Sequence, residues 1–133
     1  MYFKYDEKNG IHVPEPFKRV MTPLMTSDMV DRELPFSVHF TQWEPGRKID
    51  VHSHPDAMEA MYCLSGNAHA KIDGEWVEFV PGTMIVADKN EEHCIVNDGD
   101  ELLSVFCIFS PPISGEGLKK RAMAAVDEAK AKK

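Results

Sequence analysis

Four side chains have the types and the spacing to hold a divalent metal ion. His52 and His54 flank a single serine in "HSHPDAMEAMYCLSG", Glu59 follows His54 by five residues, and His93 opens the segment "HCIV". In a strand, residues i and i+2 point to one face, so His52 and His54 are expected to project together, inward if Ser53 faces out. Pro55 and Asp56 favour a turn, from which Glu59 can return to the same pocket on the next strand, and His93 can close the set. Three neutral nitrogens and one carboxylate oxygen suit a divalent transition metal and leave one or two positions for water or substrate. The competing reading is two surface histidines beside an ordinary hairpin. His12, His39 and His69 are read in that bland way, as surface or satisfied core residues.

The elements that must position this set are strands. From Phe36 to Ser110 short apolar segments recur between turn residues, with no long helical period. "KIDGEWVEF" puts Asp73 and Gly74 in the two-residue slot of a tight hairpin, and "NDGD" marks another turn. Six to eight strands over about 75 residues make a sandwich or small barrel. Before them lies an arm rich in proline and methionine, offering one or two short strands and a turn of helix near Ser27. After them, prolines end the last strand, and Leu118, Ala122, Val126 and Ala129 recur at helical spacing. Lysines crowd the end of that segment, where a helix dipole favours cations. The predicted layout is an N-terminal arm over 1–35, the barrel over 36–112 and a C-terminal helix and tail over 113–133.

Composition narrows the partners. At 133 residues the chain is one domain long, and its formal net charge of -7 repels phosphate backbones and anionic lipid, so neither nucleic acid nor membrane is an expected partner. No apolar run approaches the roughly 20 residues of a membrane helix. The first residues, "MYFKYDEKNG", are polar where a secretory signal would be apolar, which reads as cytoplasmic. Cys63, Cys94 and Cys107 are odd in number and sit in apolar runs, so buried free thiols are expected.

At this point the sequence resembles the cupin superfamily. Its first motif is glycine, five residues, histidine, any residue, histidine, three or four residues, glutamate, six residues, glycine. Gly46, His52, His54, Glu59 and Gly66 match every fixed position. The second motif runs glycine, five residues, proline, any residue, glycine, two residues, histidine, three residues, asparagine. Gly82, His93 and Asn97 fit it, whereas Asp88 replaces the proline and Asn90 the glycine. Asparagine tolerates left-handed backbone angles and aspartate can cap a turn, so the bend before His93 is expected to survive. The resemblance, over roughly residues 36–110, implies an all-β fold, a small antiparallel jelly-roll barrel, with His52, His54, Glu59 and His93 holding a metal inside. It also implies a homodimer whose arms cross between subunits.

Alternation extends the pocket. Asp50 shares parity with His52 and His54 and is a candidate second acceptor for an imidazole N–H, or else an exposed residue at the start of the strand. Met61 and Cys63 share parity with Glu59 and are expected on the pocket wall, although core packing also explains them. Arg47 reads as an exposed turn residue, and parity does not decide whether His39 or Gln42 faces inward.

A barrel this small takes one small ligand. The expected function is that of a metal-dependent enzyme acting on a small oxygen-chelating metabolite, by isomerase, lyase or dioxygenase chemistry. Glu59 is the candidate catalytic base and the cofactor is iron, manganese, zinc, nickel, cobalt or copper. The alternative is a non-catalytic module that binds or senses a small molecule in the same pocket. A third reading, a structural barrel with a vestigial polar cluster, is disfavoured because buried unpaired imidazoles and a carboxylate are costly.

Overall fold

The computed structural model describes residues 1–132. Nine strands and one α-helix follow in chain order: β1 (Ile11–Val13), β2 (Arg19–Met25), β3 (Ser37–Trp43), β4 (Met58–Ser65), β5 (Ala68–Ile72), β6 (Glu75–Phe79), β7 (Met84–Ala87), β8 (His93–Val96), β9 (Leu103–Ser110) and α1 (Gly115–Ala131). Two antiparallel sheets face each other, one in the order β1-β2-β3-β9-β4-β7 and the other β6-β5-β8. This is the jelly-roll arrangement expected from the motifs. Among the described residues no helix is long and apolar enough to cross a membrane.

Period-two burial builds the core. Along β9, Leu103, Val105, Cys107 and Phe109 are buried in alternation, and on β4 the buried series is Glu59, Met61 and Cys63. Register then lines them up in rows. His39, Cys107, Met61 and Ile85 stand side by side across β3, β9, β4 and β7, and the adjacent row is Ser37, Phe109, Glu59 and Ala87. The apolar rows close against Ala68, Ala70, Phe79 and Ile95 of the smaller sheet. Asp73 and Gly74, both at positive φ (50° and 78°), make the tight β5–β6 turn read from the sequence.

The arm residues are part of the sheet: β1 pairs with β2, and β2 with the chain's own β3, with a bulge between Pro23 and Met25. A short 3-10 turn covers Ser27–Met29, where a turn of helix was expected. At the other end, Ser114 Oγ accepts from the Gly117 N–H at 2.9 Å and caps α1, while Asp28 Oδ1 accepts from the Gly115 N–H at 3.1 Å and ties the helix to that turn. Leu118, Ala122 and Val126 are buried on Val13, Phe17, Met21 and Phe109, forming a second apolar cluster. Burial of Leu118 and Val126 contributes about 1.5–3 kcal/mol each. The cavity described next lies where these two clusters meet, with Met61 and Cys107 from one and Phe17 and Phe109 from the other.

Candidate metal centre

His52, His54, Glu59 and His93 converge: one ligand atom from each lies within 4.8 Å of all the others. Glu59 comes from β4 and His93 from the start of β8, as the sequence predicts. His52 and His54 arrive differently. They lie outside the named strands, and only His52 makes an isolated bridge, to His93. The His52 N–H donates to the His93 carbonyl at 3.0 Å and the His93 N–H returns to the His52 carbonyl at 2.9 Å. The His54 carbonyl accepts from the Asn90 N–H at 2.8 Å. Backbone bonds to the motif around His93, rather than strand parity, aim the first two rings.

The two departures in the second motif are explained here. Asn90 has φ of 66°, the left-handed conformation that the missing glycine would supply. The Asp88 carboxylate accepts from the Lys89 N–H at 2.8 Å and its carbonyl from the Glu91 N–H at 3.0 Å, which fixes the turn without proline. Asn97 is fully buried and donates to the carbonyls of Trp43 and Glu101 at 3.0 and 2.9 Å, anchoring the far end of β8.

Second contacts set which nitrogen faces the centre. His52 Nδ1 lies 2.8 Å from the Asp50 carbonyl and His93 Nδ1 lies 3.0 Å from the Glu91 carbonyl. A carbonyl only accepts, so each Nδ1 carries a hydrogen; the Nε2 of His52, a ring that burial keeps neutral, presents a lone pair inward, and that of His93 does so whenever its ring is neutral. Glu59 Oε1 lies 3.3 Å from His93 Nε2 and 3.4 Å from His54 Nε2. When protonated, His93 donates from Nε2 to the Glu59 carboxylate, and a metal ion at the centre would take the place of that proton. Nitrogen and oxygen donors of this kind match a divalent transition ion.

His54 is the exception. Arg121 Nη1 donates to His54 Nδ1 at 2.9 Å, and its Nη2 donates to Asp56 at 3.0 Å. With Nδ1 accepting, the single hydrogen of a neutral ring sits on Nε2. That atom is buried without a well-aligned partner, its 3.4 Å contact with Glu59 being at ion-pair distance only. Ligation through His54 therefore requires the Arg121 bond to open.

The electrostatics agree with a cation site. Burial alone would raise the Glu59 carboxyl, but the His54 and His93 rings, with His39 behind them, hold it well below the usual range. Burial would lower His93, yet the Glu59 carboxylate outweighs this and raises it. Burial, with the charge of His93 acting in the same direction, takes His52 down to about 4.

The structure corrects two expectations around the cluster. His39 is neither at the surface nor satisfied: it points inward, is 3% exposed, stacks on Phe109, and leaves Nδ1 buried without a partner. Burial pushes it down to about 4, so it is neutral at physiological pH. With Cys107 it forms a second group on Glu59, but burial pushes the Cys107 thiol well above its ordinary value, which disfavours the thiolate a metal needs. Cys63 does not line the cavity; two residues beyond Met61 and opposite Val105, it lies in the apolar core and donates to the Ser65 carbonyl. Asp50 is exposed at the cavity mouth and orients His52 through its carbonyl, while its carboxylate accepts from the Val51 N–H.

Other expectations hold. The three cysteines are buried free thiols and Met61 lines the cavity; Gln42, whose direction parity leaves open, turns away and donates to Ser104. Arg47 pairs with Glu15 and His69 with Asp98 on the surface. Sequence reasoning missed Arg19 and Arg121 on the cavity wall. Arg19 shares its face of β2 with Met21, and Arg121 follows Leu118 by three residues on the buried side of α1.

Comparison with known proteins agrees with this geometry. Residues 39–109 match the family model described as "Cupin domain". The L-ectoine synthase of Vibrio campbellii (strain ATCC BAA-1116) is 31% identical over 86 residues, 64% of this chain and 66% of that protein. The L-ectoine synthase of Alkalilimnicola ehrlichii is 34% identical over 82 residues, 60% of this chain and 61% of that one. The chain thus spans less than two thirds of the length of the curated relatives it matches. Among solved structures, ectoine synthase from P. lautus superposes with a TM-score of 0.71 at 22% identity, covering 87% of this chain and 78% of that one. KdgF from Halomonas sp. gives 0.69 at 20% identity, covering 84% and 93%. At these identities the structural likeness concerns the fold.

Proposed function

The chain belongs to the cupin domain family, and on that premise we propose that it is a metal-dependent enzyme acting on a small oxygen-chelating metabolite, by isomerase, lyase or dioxygenase chemistry. One observation carries this reading: three imidazoles and a carboxylate converge, one ligand atom of each within 4.8 Å of the others, beside a small cavity. The curated relatives, named as synthases, support an enzyme over a passive binding module.

His52, His93 and Glu59 would hold the ion, joined by His54 once Arg121 releases it. A divalent ion there would supply Lewis acidity toward a ligand oxygen. The chain's own residues do the rest. Phe17, Met21, Trp43 and Phe109 give the cavity beside the cluster an apolar wall. Its volume is about 110 Å³, which suits a small ligand. Glu59, ionised at neutral pH, can take a proton only from a ligand group that is already acidic. His39 presents an unpartnered Nδ1 in the same cavity and helps to orient a ligand hydroxyl or carbonyl.

The test is Zn²⁺ and Mn²⁺ binding by competition with a chromogenic chelator, in the natural protein and in His52→Ala. One ion per chain is expected, with affinity falling at least about tenfold in the variant, since losing a ligand costs no less than the 10–100-fold of an outer partner. Equal affinity in both proteins would remove the proposed centre.

A further inference from the structure

The wall of the cavity carries a cation without a counter-ion. Among the described residues, Arg32, Arg47 and Arg121 each have a carboxylate within 4.0 Å, in Asp31, Glu15 and Asp56, whereas Arg19 has none. Its one side-chain hydrogen bond is from Nη1 to the Phe17 carbonyl, at 2.9 Å. A guanidinium offers five N–H donors in a planar fork, so four remain for another partner. Arg19 lines the same cavity as Glu59 and the histidines, and it sits far enough from Glu59 that the two make no ion pair. The other guanidinium on this wall, Arg121, is already held by His54 and Asp56.

From this placement we infer that the ligand is a small carboxylate, bound with its carboxyl group on Arg19 and its remaining hydroxyl or carbonyl oxygen toward the histidine and Glu59 cluster. The second half of that statement rests on the metal-centre reading; the first half does not. A planar guanidinium meets a carboxylate through two parallel hydrogen bonds, about twice as strong as neutral ones, and fixes its orientation as well as its charge. Burial penalises the unpaired charge, and it lowers Arg19 to about 10, still fully charged at neutral pH. An incoming carboxylate offsets that penalty, whereas a neutral ligand of the same shape leaves it in place. The cavity, at about 110 Å³, suits small acids, and short hydroxy and oxo acids serve as probes. Cys107 and Thr41, which bond each other on the same lining, add no charge.

The experiment uses acetate, lactate and 2-oxobutyrate as probes, with lactamide as the neutral counterpart of lactate, on the natural protein, Arg19→Met and Arg19→Lys. Binding is read by calorimetry and by the shift in Tm, with and without Zn²⁺. The natural protein is expected to prefer lactate over lactamide at least tenfold, Arg19→Met to lose that preference, and Arg19→Lys to keep part of it. Arg19→Met should fold with an unchanged or higher Tm and bind Zn²⁺ as the natural protein does, because no ion pair is lost. No carboxylate bound, equal binding of lactate and lactamide, or a preference that survives in Arg19→Met would each overturn the inference. So would an Arg19→Met protein with a lowered Tm and unaltered probe binding, since Arg19 would then be a tether for Phe17. Zn²⁺ binding without a carboxylate preference overturns this inference alone. A preference that depends on Arg19 in a protein that refuses Zn²⁺ overturns the metal centre and leaves the carboxylate site standing.

Discussion

Replacing Arg121 by methionine is expected to tighten metal binding. In the native arrangement the Arg121 Nη1 hydrogen bond of 2.9 Å keeps His54 Nδ1 as an acceptor and so places the ring's hydrogen on the inward Nε2. An ion can use Nε2 only after that bond is broken and the hydrogen has moved to Nδ1. A hydrogen bond involving a charged group is worth about 1.5–3 kcal/mol. At about 1.4 kcal/mol per factor of ten, Arg121→Met should bind Zn²⁺ about tenfold to a hundredfold more tightly. Loss of a positive charge near the centre acts in the same direction. Methionine keeps apolar bulk over Phe109, whose ring now lies 5.4 Å from the guanidinium carbon. Asp56→Asn is the control: it removes the exposed ion pair but leaves the His54 contact, and should change affinity by no more than about fivefold. The assay is chelator competition at fixed pH, with thermal unfolding of each metal-free variant to verify the fold. An Arg121→Met protein that folds normally and binds Zn²⁺ no better than the natural one would refute the assigned His54 tautomer.

Three other outcomes follow from the packing and the buried ring. His39 has a folded-state value near 4 against an ordinary 6.5, so between those pH values the unfolded chain takes up a proton that the folded chain refuses. Stability is therefore lost as pH falls from about 6.5 to about 4, by about 3 kcal/mol for this group, and His39→Phe should show a shallower loss in denaturant titrations of the metal-free protein; an identical pH slope would contradict the burial of a neutral ring. Leu118→Ala, at a side chain only 3% exposed, should cost about 2–4 kcal/mol in chemical unfolding, and a loss below about 0.5 kcal/mol would mean that α1 is not docked as described. Gly66→Ala places a Cβ 2.9 Å from the Leu103 Cα at φ of 107°, so a loss of about 2 kcal/mol or more is expected, and a neutral result would contradict the β4–β5 turn geometry.

Much of the architecture was legible because it depends on local patterns. Alternation in "LSVFCIF" gives β9 its buried face, Asp73–Gly74 gives the hairpin, and the spacing of Leu118, Ala122 and Val126 gives α1. Convergence of His52, His54, Glu59 and His93 was legible from motif spacing, although the parity argument for the first two was not how the chain achieves it. The misses share one cause. Whether Cys63 or Cys107 faces the cavity, and whether His39 finds a partner, depends on strand register and on where along the barrel the packing stops, which no local window contains. Arg19 and Arg121 reach the cavity from the first part of the sheet and the last helix, elements far in sequence from both motifs.

The most direct test is the metal content per chain, measured by elemental mass spectrometry on protein purified without a metal-affinity tag. The account predicts about one transition-metal ion per chain, lost in His52→Ala. Protein that emerges metal-free and also refuses added Zn²⁺, Mn²⁺ and Fe²⁺ would contradict it.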